Sequence, residues 1–355
     1  MTRPRLDPRL PLTELHVHLG AAVTPAIMWG IAHAQGIRLP TKDYWAFSDL
    51  ITVGRRRRSF AAYLELFHWT ELIQSSPIAI ERSVYEVIGG AYRKNNITQL
   101  EVRFNPMKRN RGGEQDLDHI IAAAVRGMDR AVLEYPQVRA GLVFCLDRAF
   151  SHELNEIIAA KAIAWRSRGV VGIDIAGPVV EGFRFAEYAQ LYAECRRAGL
   201  GLTVHAGETG GADEVREALE ALEPDRIGHG VHSADDPSVM AMLRERGTVL
   251  EVCPTSNLST RVVSDVNHLR RILRSLLDHE VPLTFSTDGP EMLRSSLRDE
   301  LLFLLSHGIL DLDEVRRAVD VGHASSFLDR APTIESSVTG ATGNGRAAIP
   351  VGGRA

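Results

Sequence analysis

The stretch Leu202-Thr-Val-His-Ala-Gly-Glu208 is the part of the sequence that says most about the fold and the chemistry. Residues 202–204 have the apolar, partly β-branched character of the end of a buried strand, and Gly207 permits a sharp turn straight afterwards. This turn is expected to bring His205, a typical metal ligand, next to Glu208, a typical acid or base. Matching residues at the ends of other strands would then define a shared site.

Two other stretches end in compatible residues. Leu15-His16-Val17-His18 lies near the start of the chain, and Thr284-Phe285-Ser286-Thr287-Asp288 lies near its end. In a strand, His16 and His18 point to the same face and can hold one ion. A barrel whose strands all run in the same direction would collect these side chains at one mouth.

Strand-like and helix-like segments alternate along the 355 residues. The eight strand candidates are residues 12–18, 97–104, 140–146, 170–175, 200–205, 226–229, 248–253 and 282–288. Helix candidates after the second strand are residues 117–133, 154–167, 185–198, 212–222, 237–246, 269–279 and 297–327. Eight β/α units favour an α/β protein of the (β/α)8 TIM-barrel type over an open doubly wound sheet. No G-x-G-x-x-G follows a strand, so a dinucleotide-binding fold has no support.

Two segments, 24–95 and 331–355, depart from this alternation. Residues 24–95 show helical spacing without a clear strand, which predicts a helical insertion after strand 1, a natural place for a lid over the site. Four arginines at 55–58 lie in this insertion, where an exposed loop is the default interpretation and a phosphate-binding or partner-binding patch the alternative. Residues 1–330 are thus predicted to form a single barrel domain, and 331–355, rich in Ser, Thr, Gly and Ala, a disordered tail.

Composition excludes several classes of function. A net charge of −4 gives no general reason to expect binding to nucleic acid or to an anionic membrane. No run of about 18 apolar residues is present, and the N-terminus lacks the apolar stretch of a signal peptide. Cys145, Cys195 and Cys253 show no C-x-x-C spacing and are typical of reduced thiols. We therefore expect a cytoplasmic protein whose partner is a small molecule.

The polar residues at the predicted strand ends form one constellation, since the chemistry of such a barrel lies at the carboxyl ends of its strands. They are His16, His18, Gly177, His205, Glu208, His229 and Asp288. A single histidine is often structural, but so many polar residues reaching one rim independently is improbable. Three imidazoles and a carboxylate suit a borderline divalent cation, most typically zinc. Such an ion lowers the pKa of water from about 15.7 to about 7. Glu208 would then be a proton shuttle, and His229 would steer the hydroxide.

Six segments, in this order, resemble the adenosine deaminase family of the metal-dependent amidohydrolase superfamily. They are Glu14-Leu-His-Val-His-Leu19, Gly172-Ile-Asp-Ile-Ala-Gly177, His205-Ala-Gly-Glu208, Arg226-Ile-Gly-His-Gly230, Glu251-Val-Cys-Pro-Thr-Ser-Asn257 and Ser286-Thr-Asp288. The resemblance extends over about residues 11–328. The other zinc deaminase type, with H-x-E and P-C-x-x-C, is absent.

The resemblance implies a role for each residue of the constellation. It implies one zinc ion per chain, with His16, His18, His205 and Asp288 as its ligands. It also implies that Glu208 protonates the purine ring nitrogen next to the attacked carbon, that His229 orients the attacking water and that the amide of Gly177 holds another ring nitrogen. Arg103, at the end of strand 2, is expected to pair with a core carboxylate rather than face the substrate.

Two positions depart from the family pattern. The family usually reads His-Leu-Asp-Gly-Ala where this chain has His18-Leu-Gly20-Ala-Ala, and Asp-Asp-Pro where this chain has Asp288-Gly289-Pro290. The missing aspartates are those expected to hold the 5′ hydroxyl of the sugar and a purine nitrogen. Gly20 and Gly289 are therefore predicted to leave room in the substrate site, with weak activity on plain adenosine.

The predicted function is a zinc-dependent hydrolytic deaminase that replaces the exocyclic amine of an adenine-type nucleoside, adenosine or a modified adenosine, with oxygen and releases ammonia. One alternative is a deaminase of free adenine, a nucleotide or a non-purine heterocycle. Another is a purine-binding relative without activity, against which the intact ligand set and Glu208 argue.

Overall fold

The computed structural model describes residues 6–53, 59–110 and 116–330. Eight parallel strands form a sheet in which each strand pairs with its neighbours in the sequence. They are β1 (Leu12–His18), β2 (Ile97–Phe104), β3 (Arg139–Asp147), β4 (Val170–Ala176), β5 (Gly201–Ala206), β6 (Arg226–His229), β7 (Val249–Val252) and β8 (Leu283–Phe285).

The last strand returns to the first just beyond its own end. Val17 and Asp288 form a parallel bridge. The N–H of His18 donates to the carbonyl oxygen of Asp288 at 2.8 Å, and the N–H of Asp288 donates to that of His16 at 2.8 Å. The sheet therefore closes into a (β/α)8 barrel, which confirms the predicted fold class.

Helices follow the strands in sequence. The first six are α1 (Leu19–Ala22), α2 (Pro25–Ala34), α3 (Tyr44–Leu50), α4 (Phe60–Leu64), α5 (Phe67–Ile73) and α6 (Pro77–Asn95), all between β1 and β2. The next five are α7 (Leu117–Glu134), α8 (His152–Ala164), α9 (Ala189–Arg197), α10 (Ala212–Leu222) and α11 (Pro237–Arg246). The last five are α12 (Pro254–Ser259), α13 (Val266–Asp278), α14 (Pro290–Leu293), α15 (Leu297–Ser306) and α16 (Leu312–Ala324). Short 3-10 helices cover Met107–Arg109, Arg166–Arg168, Phe185–Tyr188, Val231–Asp235 and Phe327–Arg330.

The predicted insertion at 24–95 is helical, and its last helix belongs to the barrel. Helix α6 packs against β2 and α7, as an outer-ring helix does, whereas α4 and α5 lie over the mouth side. Helix α6 begins behind a Ser76 cap and ends at Asn96 in the left-handed conformation.

Several element boundaries differ from the prediction for local reasons. Strand β8 ends at Phe285 rather than 288, because Asp288 adopts a left-handed conformation with φ 60°. The predicted helix at 185–198 begins as a 3-10 turn and becomes α-helical only at Ala189. The helices predicted within 297–327 are α15 and α16, which are separated at Gly308, with φ 60°, and by the capping box of Asp311.

The end of the barrel away from the mouth is filled by side chains. Phe327 fits against Gly201, where a Cβ would stand 2.1 Å from its ring. The guanidinium of Arg226 lies 3.5 Å from the centre of the same ring. Access to the barrel interior is therefore from the carboxyl ends of the strands.

Two further expectations can be compared with the structure, and two others concern residues that it does not describe. The cysteines at 145, 195 and 253 are buried and free, as predicted. Of the helices that the structure describes, none combines the length and the apolar character needed to cross a bilayer. The arginines at 55–58 and the tail at 331–355 lie outside the described residues.

Candidate active site

Three imidazoles converge at the mouth of the barrel. One ring nitrogen from each of His16, His18 and His205 lies within 4.8 Å of the others. The Nε2 atoms of His18 and His205 are 3.2 Å apart, and Nε2 of His18 is 3.5 Å from Oδ1 of Asp288. A tetrahedral ion with bonds of about 2.0–2.1 Å would place its ligand atoms about 3.3 Å apart. These spacings therefore fit a single small divalent cation.

The protonation of these groups also suits a cation. Burial, with Arg103 next in effect, holds the pKa of His16 well below its usual range. Burial, with His205 next, does the same to the pKa of His18. Nε2 of His16 is buried and has no hydrogen-bond partner among the described residues. A neutral imidazole with an unused lone pair is the form that binds a metal ion.

Buried carboxylates hold two of these rings in place from behind. Oε2 of Glu251 is 2.8 Å from Nδ1 of His16, and Oδ2 of Asp174 is 3.0 Å from Nδ1 of His205. The guanidinium of Arg103 bridges the two carboxylates, at 2.9 Å from Asp174 and 2.7 Å from Glu251. Arg103 therefore pairs with core carboxylates, as predicted. Carboxylates in this position fix the tautomer of a histidine and leave Nε2 for the ion.

Asp288 offers one oxygen to the same centre. The hydroxyl of Ser256 donates to its Oδ2 at 2.6 Å, so that Oδ1 is left facing the histidines. Asp288 and His229 both have left-handed backbones, with φ of 60° and 62°. Such conformations in residues other than glycine cost free energy and cluster at functional sites.

Glu208 and His229 form a pair beside the three histidines. Oε1 of Glu208 is 3.7 Å from Nε2 of His229 and has no hydrogen-bond partner among the described residues. Burial, reinforced by the charge of Asp288, raises the pKa of Glu208 well above its usual range. Burial lowers that of His229. The amide of Asn257 donates to Nδ1 of His229 at 3.1 Å, which leaves the ring proton on Nε2. The shifted pKa values thus favour the protonated form of the Glu208 carboxyl and the neutral form of the His229 ring.

These residues open into a cavity of about 500 Å³. Its wall includes Gly177, which has a φ of 99°. A Cβ at this position would stand 2.8 Å from Asp147, so the backbone conformation and the contact together exclude a side chain there. Tyr63, Leu64 and Phe67 of the insertion supply an apolar wall. The volume falls in the range of small-molecule sites.

The predicted room at the two unusual glycines is absent, and that part of the prediction was wrong. A Cβ at Gly289 would stand 2.7 Å from Oη of Tyr63 and 2.8 Å from Cβ of Ala21. A Cβ at Gly20 would stand 2.9 Å from Phe67 and 3.2 Å from Nη2 of Arg109. The insertion therefore fills the space that aspartates would have used.

Sequence analysis missed several other residues of the cavity wall. Tyr63 and Phe67 were interpreted only as helix-forming residues, and Lys108, Arg109 and Arg148 were not singled out. Asp174 and Glu251 lay in matched segments without an assigned role. Their signal was a carboxylate inside an otherwise apolar strand, which is rare unless the charge is paired.

The fold and the site together define the class of (β/α)8-barrel proteins with a candidate metal centre at the carboxyl ends of the strands. The family model for adenosine deaminase matches residues 11–335, and the chain therefore belongs to the adenosine deaminase family. The members are hydrolytic deaminases acting on C–N bonds, and the protein is a hydrolase of this kind.

Among curated relatives, adenosine deaminase of Clostridium kluyveri is 28% identical over 321 residues, which cover 90% of each chain. Adenosine deaminase of Shewanella woodyi is 30% identical over 295 residues, which cover 82% of this chain and 86% of the relative.

Three solved structures share the fold. Adenine deaminase from Arthrobacter aurescens superposes with a TM-score of 0.79 at 20% identity, covering 90% of this chain and 98% of its own. An amidohydrolase from Burkholderia ambifaria with bound zinc gives a TM-score of 0.79 at 23% identity, covering 92% and 90%. The N6-mAMP deaminase of Arabidopsis gives 0.76 at 24% identity, covering 90% and 94%.

Proposed function

We propose that the protein is a zinc-dependent hydrolytic deaminase that replaces the exocyclic amine of an adenine-type nucleoside with oxygen and releases ammonia. The observation that carries the proposal is the convergence of His16, His18, His205 and Asp288 beside the buried Glu208, one oxygen of which has no hydrogen-bond partner in the described part of the chain. The relatives in Clostridium and Shewanella are adenosine deaminases, and the Burkholderia neighbour binds zinc. These similarities support both the reaction and the metal.

The proposed ligands are the Nε2 atoms of the three histidines and Oδ1 of Asp288, one ion per chain. Zinc bound there supplies a Lewis acid that lowers the pKa of water from about 15.7 to about 7. Glu251 and Asp174 keep the rings of His16 and His205 in the orientation that binding needs.

Residues of the chain itself would carry out the proton transfers. The raised pKa of Glu208 favours the protonated carboxyl, which would protonate the ring nitrogen next to the attacked carbon. His229 presents its Nε2–H next to Glu208 and would orient the attacking water. The amide of Gly177 would hold a second ring nitrogen, and the aromatic wall would exclude bulk water.

A nucleotide is the second candidate substrate. Nη2 of Arg109 lies 3.2 Å from the Cβ position of Gly20, where the family has the aspartate for the 5′ hydroxyl, and Lys108 lines the same cavity. Nη1 of this guanidinium is paired with Glu71 at 3.2 Å, and its Nη2 would favour a 5′ phosphate over a hydroxyl. The Arabidopsis neighbour is an N6-mAMP deaminase, which agrees with this candidate.

Ammonia release tests the proposal. Adenine, adenosine, N6-methyladenosine, AMP, N6-methyl-AMP and cytosine would each be offered to the zinc-loaded and the chelator-treated protein. We expect release from at least one adenine-type compound, and only with metal. Equal rates without metal would contradict zinc dependence, and no release from any adenine-type compound would contradict the proposed reaction.

A further inference from the structure

Tyr63 brings a phenol hydroxyl into the space that a side chain at position 289 would use. Its Oη is 2.7 Å from the Cβ position of Gly289. Gly289 has φ −137°, a backbone conformation that any residue adopts. Contact with Tyr63 and Ala21, and not backbone strain, is therefore what excludes a side chain at this position.

The hydroxyl of Tyr63 is only weakly engaged by the protein. It donates to Oδ2 of Asp288 at 3.4 Å, whereas Ser256 already donates to that oxygen at 2.6 Å. An O–H···O bond is typically about 2.7–2.8 Å long, so the bond from Tyr63 is a poor one. Since a hydroxyl hydrogen rotates to suit its partner, it is available to a substrate in the cavity.

The ring of Tyr63 is firmly held although its hydroxyl is not. It is buried, and it meets Phe67 edge to face with ring centres 5.6 Å apart. Phe67 in turn meets His18 edge to face at 6.1 Å and occupies the space over Gly20. The two glycines are thus the places where the insertion packs against the segments that carry the proposed metal ligands. The hydroxyl of Tyr63 lies beside Asp288, and both residues line the cavity.

A phenol and a carboxylate recognise a ring nitrogen differently. An unprotonated ring nitrogen accepts hydrogen bonds, so a carboxyl group must first be protonated to donate to it. A phenol, with an ordinary pKa of about 10, is a donor at neutral pH.

We propose that Tyr63 is a specificity-determining residue, whose hydroxyl replaces the family's aspartate and donates a hydrogen bond to a ring nitrogen of an adenine-type substrate. This inference rests on the proposed deaminase function. It accounts for the departure at position 289: the carboxylate is absent because another polar group stands in its place.

The test pairs Tyr63→Phe with purines that lack one ring nitrogen. Adenine, adenosine, AMP and their 3-deaza and 7-deaza counterparts would be the probes, with dissociation constants from calorimetry and kcat/KM from ammonia release. The control is Tyr85→Phe on the outer helix α6, which removes a hydroxyl that donates to Glu134 of α7. We expect Tyr63→Phe to weaken binding of the parent purine by about threefold to tenfold, which corresponds to the loss of one neutral hydrogen bond. The deaza analogue that lacks the nitrogen bonded by Tyr63 should bind the wild type and Tyr63→Phe equally. The other analogue should lose as much affinity as the parent purine.

Two results would overturn the inference: no loss with the parent purine, or the same loss with the purine and both analogues. Because binding is measured as well as turnover, Tyr63 is tested even if no probe is deaminated. In that case the proposed function fails and the binding constants still decide the role of Tyr63. Failure of the wild type to bind any purine would contradict both.

A second measurement needs no ligand. Gly289→Ala would be made in the wild type and in Tyr63→Phe, and the fall in Tm compared. The contact with Ala21 is the same in both backgrounds. A smaller fall in Tm in the Tyr63→Phe background therefore measures the clash between the new methyl group and the Tyr63 hydroxyl. We expect that smaller fall, whereas equal falls would show that the hydroxyl does not fill the space at 289.

Discussion

The carboxyl of Glu208 is buried with one oxygen unpartnered among the described residues, an arrangement that costs stability unless it serves the site. Its neighbours account for its state: Asp288 raises its pKa and Arg148 opposes that effect, with burial dominant. A group of this kind keeps its proton until a substrate atom of suitable basicity comes within reach.

Glu208→Gln is expected to reduce kcat by about 10²–10⁴-fold, because the amide cannot transfer the proton. Metal content, measured by elemental analysis, should not change, because Glu208 is not one of the proposed ligands. Glu220→Gln is the matched control, an exposed glutamate on α10, the helix that follows Glu208. Turnover in Glu208→Gln equal to that of Glu220→Gln would mean that the role is wrongly assigned.

Gly289→Asp is the substitution that would restore the family pattern. The sequence suggests that it should improve activity on adenosine, but the structure predicts the opposite. The new side chain would collide with Oη of Tyr63 and Cβ of Ala21. Overpacking of this kind typically costs about 1–3 kcal/mol. We expect a lower Tm and no gain in kcat/KM for adenosine. Gly90→Asp, with no atom within 4 Å of its Cβ position, is the control. A gain for adenosine at unchanged Tm would contradict the packing argument.

Single elements position the proposed ligands by register. His16 and His18 lie on β1, His205 on β5, and the carboxylates behind them on β4 and β7. Gly228 on β6 pairs with both His205 and Glu251, and its missing side chain makes room for the ring of His16, 2.7 Å from a would-be Cβ. A shift of one residue in any of these strands would turn its side chain away from the site.

The junction of α12 and α15 depends on a buried glutamate that titrates. Glu300 accepts hydrogen bonds from the N–H of Thr255 at 3.0 Å and the hydroxyl of Ser295 at 2.6 Å, and burial raises its pKa to about 7. The folded state then binds a proton that the unfolded state releases above its ordinary pKa of 4.5. This contribution to stability is therefore lost as the pH rises from about 4.5 to about 7, up to about 3 kcal/mol.

Glu300→Gln removes this titration while keeping the shape of the side chain. Urea unfolding of both proteins at pH 5, 6, 7 and 8 should show the variant gaining stability relative to the wild type as the pH rises. The difference cancels the other titrating groups that the two proteins share. A constant difference across this range would show that Glu300 has an ordinary pKa in the folded state.

At the scale of the whole molecule, the site closes the barrel. Its proposed ligands come from the first and fifth strands and from the segment just after the last strand, and the backbone of Asp288 is hydrogen-bonded to both His16 and His18. A bound ion would therefore connect the two ends of the barrel sheet, which lie about 270 residues apart in the sequence.

Removal of metal is expected to lower the Tm by several degrees. An ion at about 100 times its dissociation constant stabilises the folded state by about 2.7 kcal/mol. Differential scanning calorimetry with and without a strong chelator measures the shift. In His205→Ala, which lacks one of the proposed ligands, the chelator should lower the Tm by less. A Tm that does not change in the wild type would contradict a structural link between the ion and the barrel.

The sequence by itself determined the order of strands and helices and the positions of the metal-ligand candidates. Both depend on local patterns: apolar runs form the buried parallel strands, and the polar residues that follow them fall at one end of the barrel. His16, His18, His205 and Asp288 could therefore be brought together on paper from strand direction alone.

Tertiary structure alone decided what surrounds these residues. Arg103, Asp174 and Glu251 meet because three strands place them in one layer, and no local pattern specifies such a contact. Tyr63 and Phe67 reach Gly289 and Gly20 from an insertion that folds back over the mouth. The sequence shows that two aspartates are missing, but only packing shows which side chains occupy their place, because close contacts between distant segments depend on the whole barrel and its insertion.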